Sequence, residues 1–140
     1  MMKSGLFTPS VLVSLQKVED SYREVSAGTG GSLSAGALAP LRALELSYAA
    51  PAVVRRTMKT LSNISVRNVA TIGGCLAHGD PHMDLPPVMT ALGASVTTVG
   101  PGGTRTINVE DLYEGYYETV LASNELISTL EVPATAGVRG

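Results

Sequence analysis

The chain has 140 residues, enough for one folded domain, and its 44% hydrophobic against 16% charged residues supports a packed core and excludes a disordered chain. Ten scattered basic residues in a chain of net charge −2 exclude a nucleic-acid surface, which needs clustered positive charge. No apolar run reaches the roughly 18 to 20 residues that span a bilayer. Residues 1–9 lack the apolar stretch of a signal peptide, and the single cysteine, Cys75, permits no intrachain disulfide, so the expected location is the cytoplasm.

Taken in chain order, Val11 to Leu15 reads as a strand after Pro9. Tyr22 to Ala27 and Ser32 to Leu38 read as the arms of a hairpin, with Gly28-Thr-Gly-Gly31 as its turn. Leu41 to Leu46 suits a short helix, and Pro51 suits the first turn of a second. In that second helix Val54, Met58 and Leu61 recur on one face. Residues 62–87 are dense in Gly, Asp, His and Pro and follow neither period, the mark of a functional segment. A helix capped by Asp84 follows, with Pro86 and Pro87 in its first turn and Val88, Met89 and Leu92 inward. Ser95 to Val99 and Thr104 to Val109 form a second hairpin around Gly100-Pro-Gly-Gly103. Residues 111–117 read as a loop or helical turn, and Leu126 to Val132 as a last strand ended by Pro133. The sum is an α+β fold, a mainly antiparallel sheet flanked by helices. Residues 1–133 form the domain and 134–140 a linker-like tail.

The informative run is Arg67 to Pro87. The Gly73-Gly74 pair lets backbone pass close to a ligand, and the Thr71 hydroxyl adds a donor, a combination suited to a pyrophosphate. The same short pattern also serves as a plain turn. Asp84 is either a ribose-contacting carboxylate or a helix cap, and both roles are compatible. His78 and His82 stand four apart, but Gly79 and Pro81 oppose the helix that would let them share a metal, so no metal site is expected. Cys75 has no basic neighbour in sequence and reads as a buried, inert thiol.

Two spaced motifs, Arg67-Asn-Val-Ala-Thr-Ile-Gly-Gly74 and Asp80-Pro-x-x-Asp84-Leu-Pro-Pro87, resemble the FAD-binding domain of molybdopterin dehydrogenases. These are the medium, flavoprotein subunits of carbon monoxide dehydrogenase and xanthine-dehydrogenase-like enzymes. The resemblance extends through Ser4 to Val13, Gly36 to Leu46, Asp111 to Leu121 and Glu125 to Pro133. It implies the larger subdomain of the PCMH-type FAD-binding fold. It also implies that Thr71, Ile72, Gly73 and Gly74 form a pyrophosphate-binding loop, that Asp84 contacts the FAD ribose region, and that Ile127 packs near the isoalloxazine ring. None of these would be a catalytic acid, base or nucleophile, since the flavin carries the redox chemistry.

The implied function is the FAD-binding portion of a molybdenum-hydroxylase-type oxidoreductase. Electrons would come from iron–sulfur clusters of a small subunit, fed by a molybdopterin-containing large subunit, and leave to an external acceptor. The sequence departs from the family in three ways. Cys75 stands where the family has Asn, no match to its first Gly-rich flavin loop is found, and its C-terminal domain is expected to be missing. The alternative expectation is therefore a non-catalytic fragment, an interaction module or a chain without FAD binding. A dinucleotide-binding Rossmann protein is excluded by the lack of Gly-x-Gly-x-x-Gly between a strand and a helix.

Overall fold

The computed structural model describes Gly5 and residues 8–134. Among the described residues, seven strands and five α-helices follow one another: β1 (Val25–Ala27), β2 (Leu33–Gly36), α1 (Leu41–Leu46), α2 (Ala52–Thr60), α3 (Ile64–Val69), α4 (Ile72–Ala77), α5 (Leu85–Ala91), β3 (Ser95–Gly100), β4 (Gly103–Asn108), β5 (Tyr113–Gly115), β6 (Glu118–Thr119) and β7 (Leu126–Val132). The main sheet has the order β1-β2-β7-β3-β4 and every pairing in it is antiparallel. The last strand thus lies at its centre, between two hairpins distant in sequence. The fold is the α+β arrangement of an antiparallel sheet with helices alongside.

Burial follows the pleat. Leu33 and Ala35 of β2, Val96 of β3 and Leu130 and Val132 of β7 are buried, each two residues from the next on its strand, as a half-covered sheet requires. Against them pack Leu41 and Leu44 of α1, Val54 and Met58 of α2, Ile72 and Leu76 of α4, and Leu85 and Met89 of α5. Pro51 occupies the N-cap position of α2, one residue before the first turn. Among the described residues, no helix is long and apolar enough to cross a membrane.

Four sequence expectations are corrected. Residues 11–15 form no strand: Val11, Leu12 and Val13 are exposed, and their unbroken apolar run lacks the alternation that would seat them on a sheet. Only Val25–Ala27 of the first hairpin arm is strand, because Asp20–Arg23 coils into a 3-10 turn. The segment 62–87 contains α3 and α4, each six residues long, too short for a helical period to show. Residues 111–117 close a 3-10 turn at Val109–Asp111 and then enter the two-stranded β5–β6 ribbon. The tail beyond Ala134 lies outside the described residues.

The helix α3 is inverted relative to the usual amphipathic rule. Arg67 is its buried residue, while Ile64, Val66 and Val69 are exposed. The guanidinium is satisfied inside: Nε donates to Glu45 Oε2 at 3.0 Å, and one terminal nitrogen donates to the carbonyls of Leu61 (3.1 Å) and Ser62 (2.7 Å). Arg42 pairs with the other oxygen of Glu45. A hydrogen bond from Arg42, with the charge of both arginines, holds the Glu45 carboxyl below its usual range, although burial works the other way. Arg67 therefore latches the segment before Thr71 onto α1.

Candidate functional site

Thr71 ends α3's exit and starts α4. Its backbone is extended (φ −96°, ψ 156°), and its Oγ1 accepts a hydrogen bond from the Gly74 N–H at 3.2 Å, so Thr71 is the N-cap of α4. The hydroxyl's own proton donates to no group among the described residues and remains free for an outside acceptor. The strand-like segment 37–40 runs beside this turn. Ile72 N–H donates to the Ala39 carbonyl (3.0 Å), Gly73 N–H to the Ala37 carbonyl (2.8 Å), and Leu41 N–H to the Ala70 carbonyl (2.9 Å).

The two glycines divide their roles. Gly73 is buried, and a β-carbon there would lie 2.6 Å from that of Ala37, so this glycine exists for close packing. Gly74 is exposed, and a β-carbon there would meet only Thr71 Oγ1, at 2.9 Å. Gly74 and Thr71 thus present the open side of the turn. The Ile72 side chain is fully buried in the core, so its place in the loop is a backbone one.

Ala37 also reaches the other end of the site. Its N–H donates to the Ser128 carbonyl at 2.8 Å. Ser128 is a bulge residue of β7: Thr97 opposes Thr129 and Thr98 opposes Ile127, leaving Ser128 without a partner on β3. Ile127, beside it, is half-buried at the edge of the core. An apolar groove of about 160 Å³ opens there, walled by Val18, Tyr22, Leu38, Leu126 and Ile127. A second hollow of about 260 Å³ shares Leu15 and Leu38 with it and is bounded by Arg23, Asn68 and Thr71. The two hollows adjoin at Leu15 and Leu38, one reaching Ile127 and the other Thr71.

Asp84 is exposed and lines neither hollow. It holds the N-cap position of α5 without acting as a cap: its backbone is already helical (φ −80°, ψ −21°) and its carboxylate makes no cap bond. The reason lies in the next residues, since Pro86 and Pro87 occupy the positions whose N–H groups a capping side chain would accept. The carboxylate is left free of that duty.

The remaining candidates fall away from the groove. Cys75 is buried with its Sγ 2.9 Å from Met83 Sδ, and burial, aided by the charge of Asp80, pushes its thiol up to about 11. A thiol held protonated is a poor nucleophile. His78 stacks edge-on against Tyr117, with ring centres 5.3 Å apart. His82 Nδ1 meets Asp80 Oδ1 at 3.2 Å on the exposed loop. No cluster of three metal-ligating side chains occurs among the described residues.

Sequence reasoning missed Arg23 and Asn68, which border the Thr71 end. Arg23 is brought there from fifty residues away because residues 22–24 pair beside β2: Leu38 N–H donates to the Tyr22 carbonyl (2.7 Å) and Gly36 N–H to the Glu24 carbonyl (2.8 Å). No local pattern signals that approach.

The groove thus offers the Thr71 hydroxyl and the Arg23 guanidinium at one end and a wall of aliphatic and aromatic side chains at the other. That chemistry fits an anionic diphosphate joined to a flat apolar ring. The model of the FAD binding domain in molybdopterin dehydrogenase matches residues 1–135. The chain belongs to this family. FAD is the cofactor of the family, and the groove's donor set agrees with it.

Among the relatives of this FAD-binding domain is the carbon monoxide dehydrogenase medium chain of Afipia carboxidovorans, 33% identical over 95% of this chain and 46% of that protein. The glyceraldehyde dehydrogenase medium chain of Sulfolobus acidocaldarius is 26% identical over 99% of this chain and 50% of that protein. Among solved structures, a cyanide-inactivated Cu,Mo-CO dehydrogenase superimposes with a TM-score of 0.87 at 34% identity, covering 95% of this chain and 47% of that one. Quinoline 2-oxidoreductase from Pseudomonas putida 86 gives 0.88 at 29% identity, covering 96% and 47%. The chain spans about half the length of the curated relatives it matches.

Proposed function

We propose that this chain is the FAD-holding portion of a molybdenum-hydroxylase-type flavoprotein subunit, with the domain running over residues 1–133 and 134–140 as a linker. In this reading the Thr71 hydroxyl and the open backbone of Gly74 meet the FAD diphosphate, with Ile72 and Gly73 shaping the turn from behind. Arg23 supplies the countercharge. Asp84 accepts hydrogen bonds from the ribose region, and Ile127 walls one face of the isoalloxazine ring. When bound, FAD supplies the electron-transfer chemistry, between iron–sulfur clusters in a small subunit and an external acceptor, in an assembly whose large subunit carries molybdopterin.

The protein's own contribution is placement. Ile127, Leu38 and Tyr22 offer apolar contact and keep water from the ring face, while Thr71 and Arg23 fix the charged middle of the cofactor. No side chain of the groove is needed as acid, base or nucleophile.

The observation that carries this reading is the double bonding of Ala37. Its carbonyl accepts from the Gly73 N–H and its N–H donates to the Ser128 carbonyl, so the polar turn and the strand that carries Ile127 are joined through one residue. An FAD titration of the purified chain, followed by flavin absorbance and fluorescence, tests it. Saturable binding that survives desalting supports the assignment, and a protein that shows no saturable binding overturns it.

A second reading, a non-catalytic interaction module, is favoured by one feature. The N–H groups of Ile72 and Gly73 are already given to backbone carbonyls, so few donors remain for a diphosphate. Each missing charge-assisted bond costs roughly 1.5 to 3 kcal/mol, enough for weak binding by the chain on its own. Assembly with a molybdopterin-containing subunit without flavin uptake would mark this second role.

A further inference from the structure

The ladder around Ile127 is incomplete. On one side β7 pairs with β2 from Thr129 onward, with the Ala37 N–H to Ser128 carbonyl bond as the last link, and on the other the pairing with β3 shifts at the Ser128 bulge and resumes at Ile127 opposite Thr98 and Leu126 opposite Val99. The strand end that carries the groove wall therefore lacks the two-sided hydrogen bonding that fixes the rest of β7.

A side-chain network stands at that point. The Glu125 carboxylate, immediately before Leu126 and Ile127, accepts four hydrogen bonds: Arg105 Nε (2.7 Å) and Thr98 Oγ1 on Oε1, and Arg105 Nη2 (2.7 Å) and the Ala122 N–H (3.0 Å) on Oε2. Arg105 Nη2 also donates to the Val120 carbonyl at 2.9 Å. One carboxylate thus gathers β4, β3 and the turn before β7. A forked, planar guanidinium on a carboxylate fixes direction as well as distance, which a single lysine nitrogen cannot do.

We propose that the Glu125–Arg105 clamp is a positioning element for the cofactor site, holding Ile127 at the groove where β7 is paired with β3 alone. It acts through Ile127 and touches no ligand itself. The link to flavin rests on the function proposed above, whereas the positioning of Ile127 is testable without flavin.

The test uses Glu125→Gln and Arg105→Lys, with Ser34→Ala as control. Ser34 Oγ donates to Glu131 Oε1 at 2.6 Å, so the control breaks a side-chain bond near the opposite end of the same strand. The δ1-methyl resonances of isoleucine give the first readout, with the core residue Ile72 as internal reference. FAD titration and the visible band shape of bound flavin give the second. Both clamp variants are expected to move the Ile127 methyl and leave Ile72 in place, to raise the FAD Kd roughly tenfold, and to alter the bound-flavin band. The control is expected to do none of these. An unmoved Ile127 methyl, or the same changes in Ser34→Ala, overturns the proposal. A moved methyl with unchanged flavin affinity and spectrum overturns the clamp's role in the cofactor site. If the unmodified chain binds no FAD, the proposed function falls, and the methyl shifts alone decide whether the clamp holds Ile127.

Discussion

Gly73 lies against Ala37 with no room for a side chain: a β-carbon at position 73 would stand 2.6 Å from that of Ala37, while the Gly73 N–H donates to the Ala37 carbonyl at 2.8 Å. The contact joins the start of α4 to the segment that continues β2, and through Ala37 to β7. Gly73→Ala is expected to destabilise the fold by about 1 to 3 kcal/mol, the usual range for overpacking. Thermal unfolding of the variant measures it, and an unchanged Tm would show that the seam can relax.

Gly74 and Thr71 carry the opposite expectation. Gly74→Val brings its β-carbon to 2.9 Å from Thr71 Oγ1 on the exposed side of the turn, so FAD binding should be lost through a displaced hydroxyl and a blocked approach while the far-UV circular dichroism is largely retained. Thr71→Ala should lose the α4 cap, about 0.5 to 2 kcal/mol, together with affinity for FAD. Thr71→Ser restores both if the hydroxyl is the working group. Equal FAD affinity in Gly74→Val would remove this turn from the site.

Arg23 offers a charge-specific check. Arg23→Gln should weaken ADP and FAD but leave riboflavin, which lacks the diphosphate, unaffected. Its effect should shrink at high salt, since an exposed charge is screened. Equal weakening of riboflavin would place Arg23 outside the diphosphate end.

Acid should loosen the β4–β7 end first. Hydrogen bonds from Arg105, Thr98 and the Ala122 N–H hold the Glu125 carboxyl down at about 2, against an ordinary value of 4.5. A depressed carboxyl stabilises the folded state above its unfolded value and loses that contribution as pH falls toward the folded one. Stability should therefore decline between about pH 4.5 and 2, and Glu125→Gln should flatten that limb of a Tm-against-pH curve. An identical acid limb in the variant would assign the decline to other carboxyls.

Cys75 predicts the alkaline side. Burial raises its thiol from 9.0 to about 11. A raised thiol stabilises the folded state below its unfolded value, and the contribution is lost as pH climbs from about 9 through 11. Iodoacetamide should label the native protein slowly at neutral pH and the unfolded protein fast. Cys75→Asn should cost stability, because an amide would be buried beside Met83 and the half-buried Tyr113. Rapid native labelling would show an open pocket at Cys75.

The regular parts of the fold were legible because local rules and tertiary packing agree there. Leu41–Leu46 and Leu126–Val132 have the bounds read from sequence, each set by its apolar period and an adjacent proline. The hairpin turns at residues 28–31 and 100–103 were legible from their glycines. The failures share another cause. At 11–15 the strand-like composition has no sheet edge to join, and at 64–77 two single-purpose helices are held by long-range partners. The Arg67–Glu45 pair and the Ala37 carbonyls come from distant segments that no local window sees. Thr71, Gly74 and Ile127 were singled out from sequence through the family resemblance. Arg23 was not, since backbone pairing with residues 36–38 brings it in, and the Asp84 cap failed because the prolines that mark the helix start also remove the donors a cap needs.

Arg67 makes this arrangement dependent on a single side chain. Arg67→Met should remove the latch between α3 and α1 and lower Tm by several degrees or more, since it leaves Glu45 without one of its two partners. A small effect would show that Arg42 suffices for Glu45.

The double bonding of Ala37 also turns the groove into a gauge. One residue's two peptide groups fix the interval between the polar turn and the aliphatic wall, and that interval cannot stretch or shrink without breaking backbone hydrogen bonds on both sides. On the proposed function, selection by this groove is a matter of length as much as of chemistry: a ligand with the right ring but too short a tether would engage one end and leave the other to water.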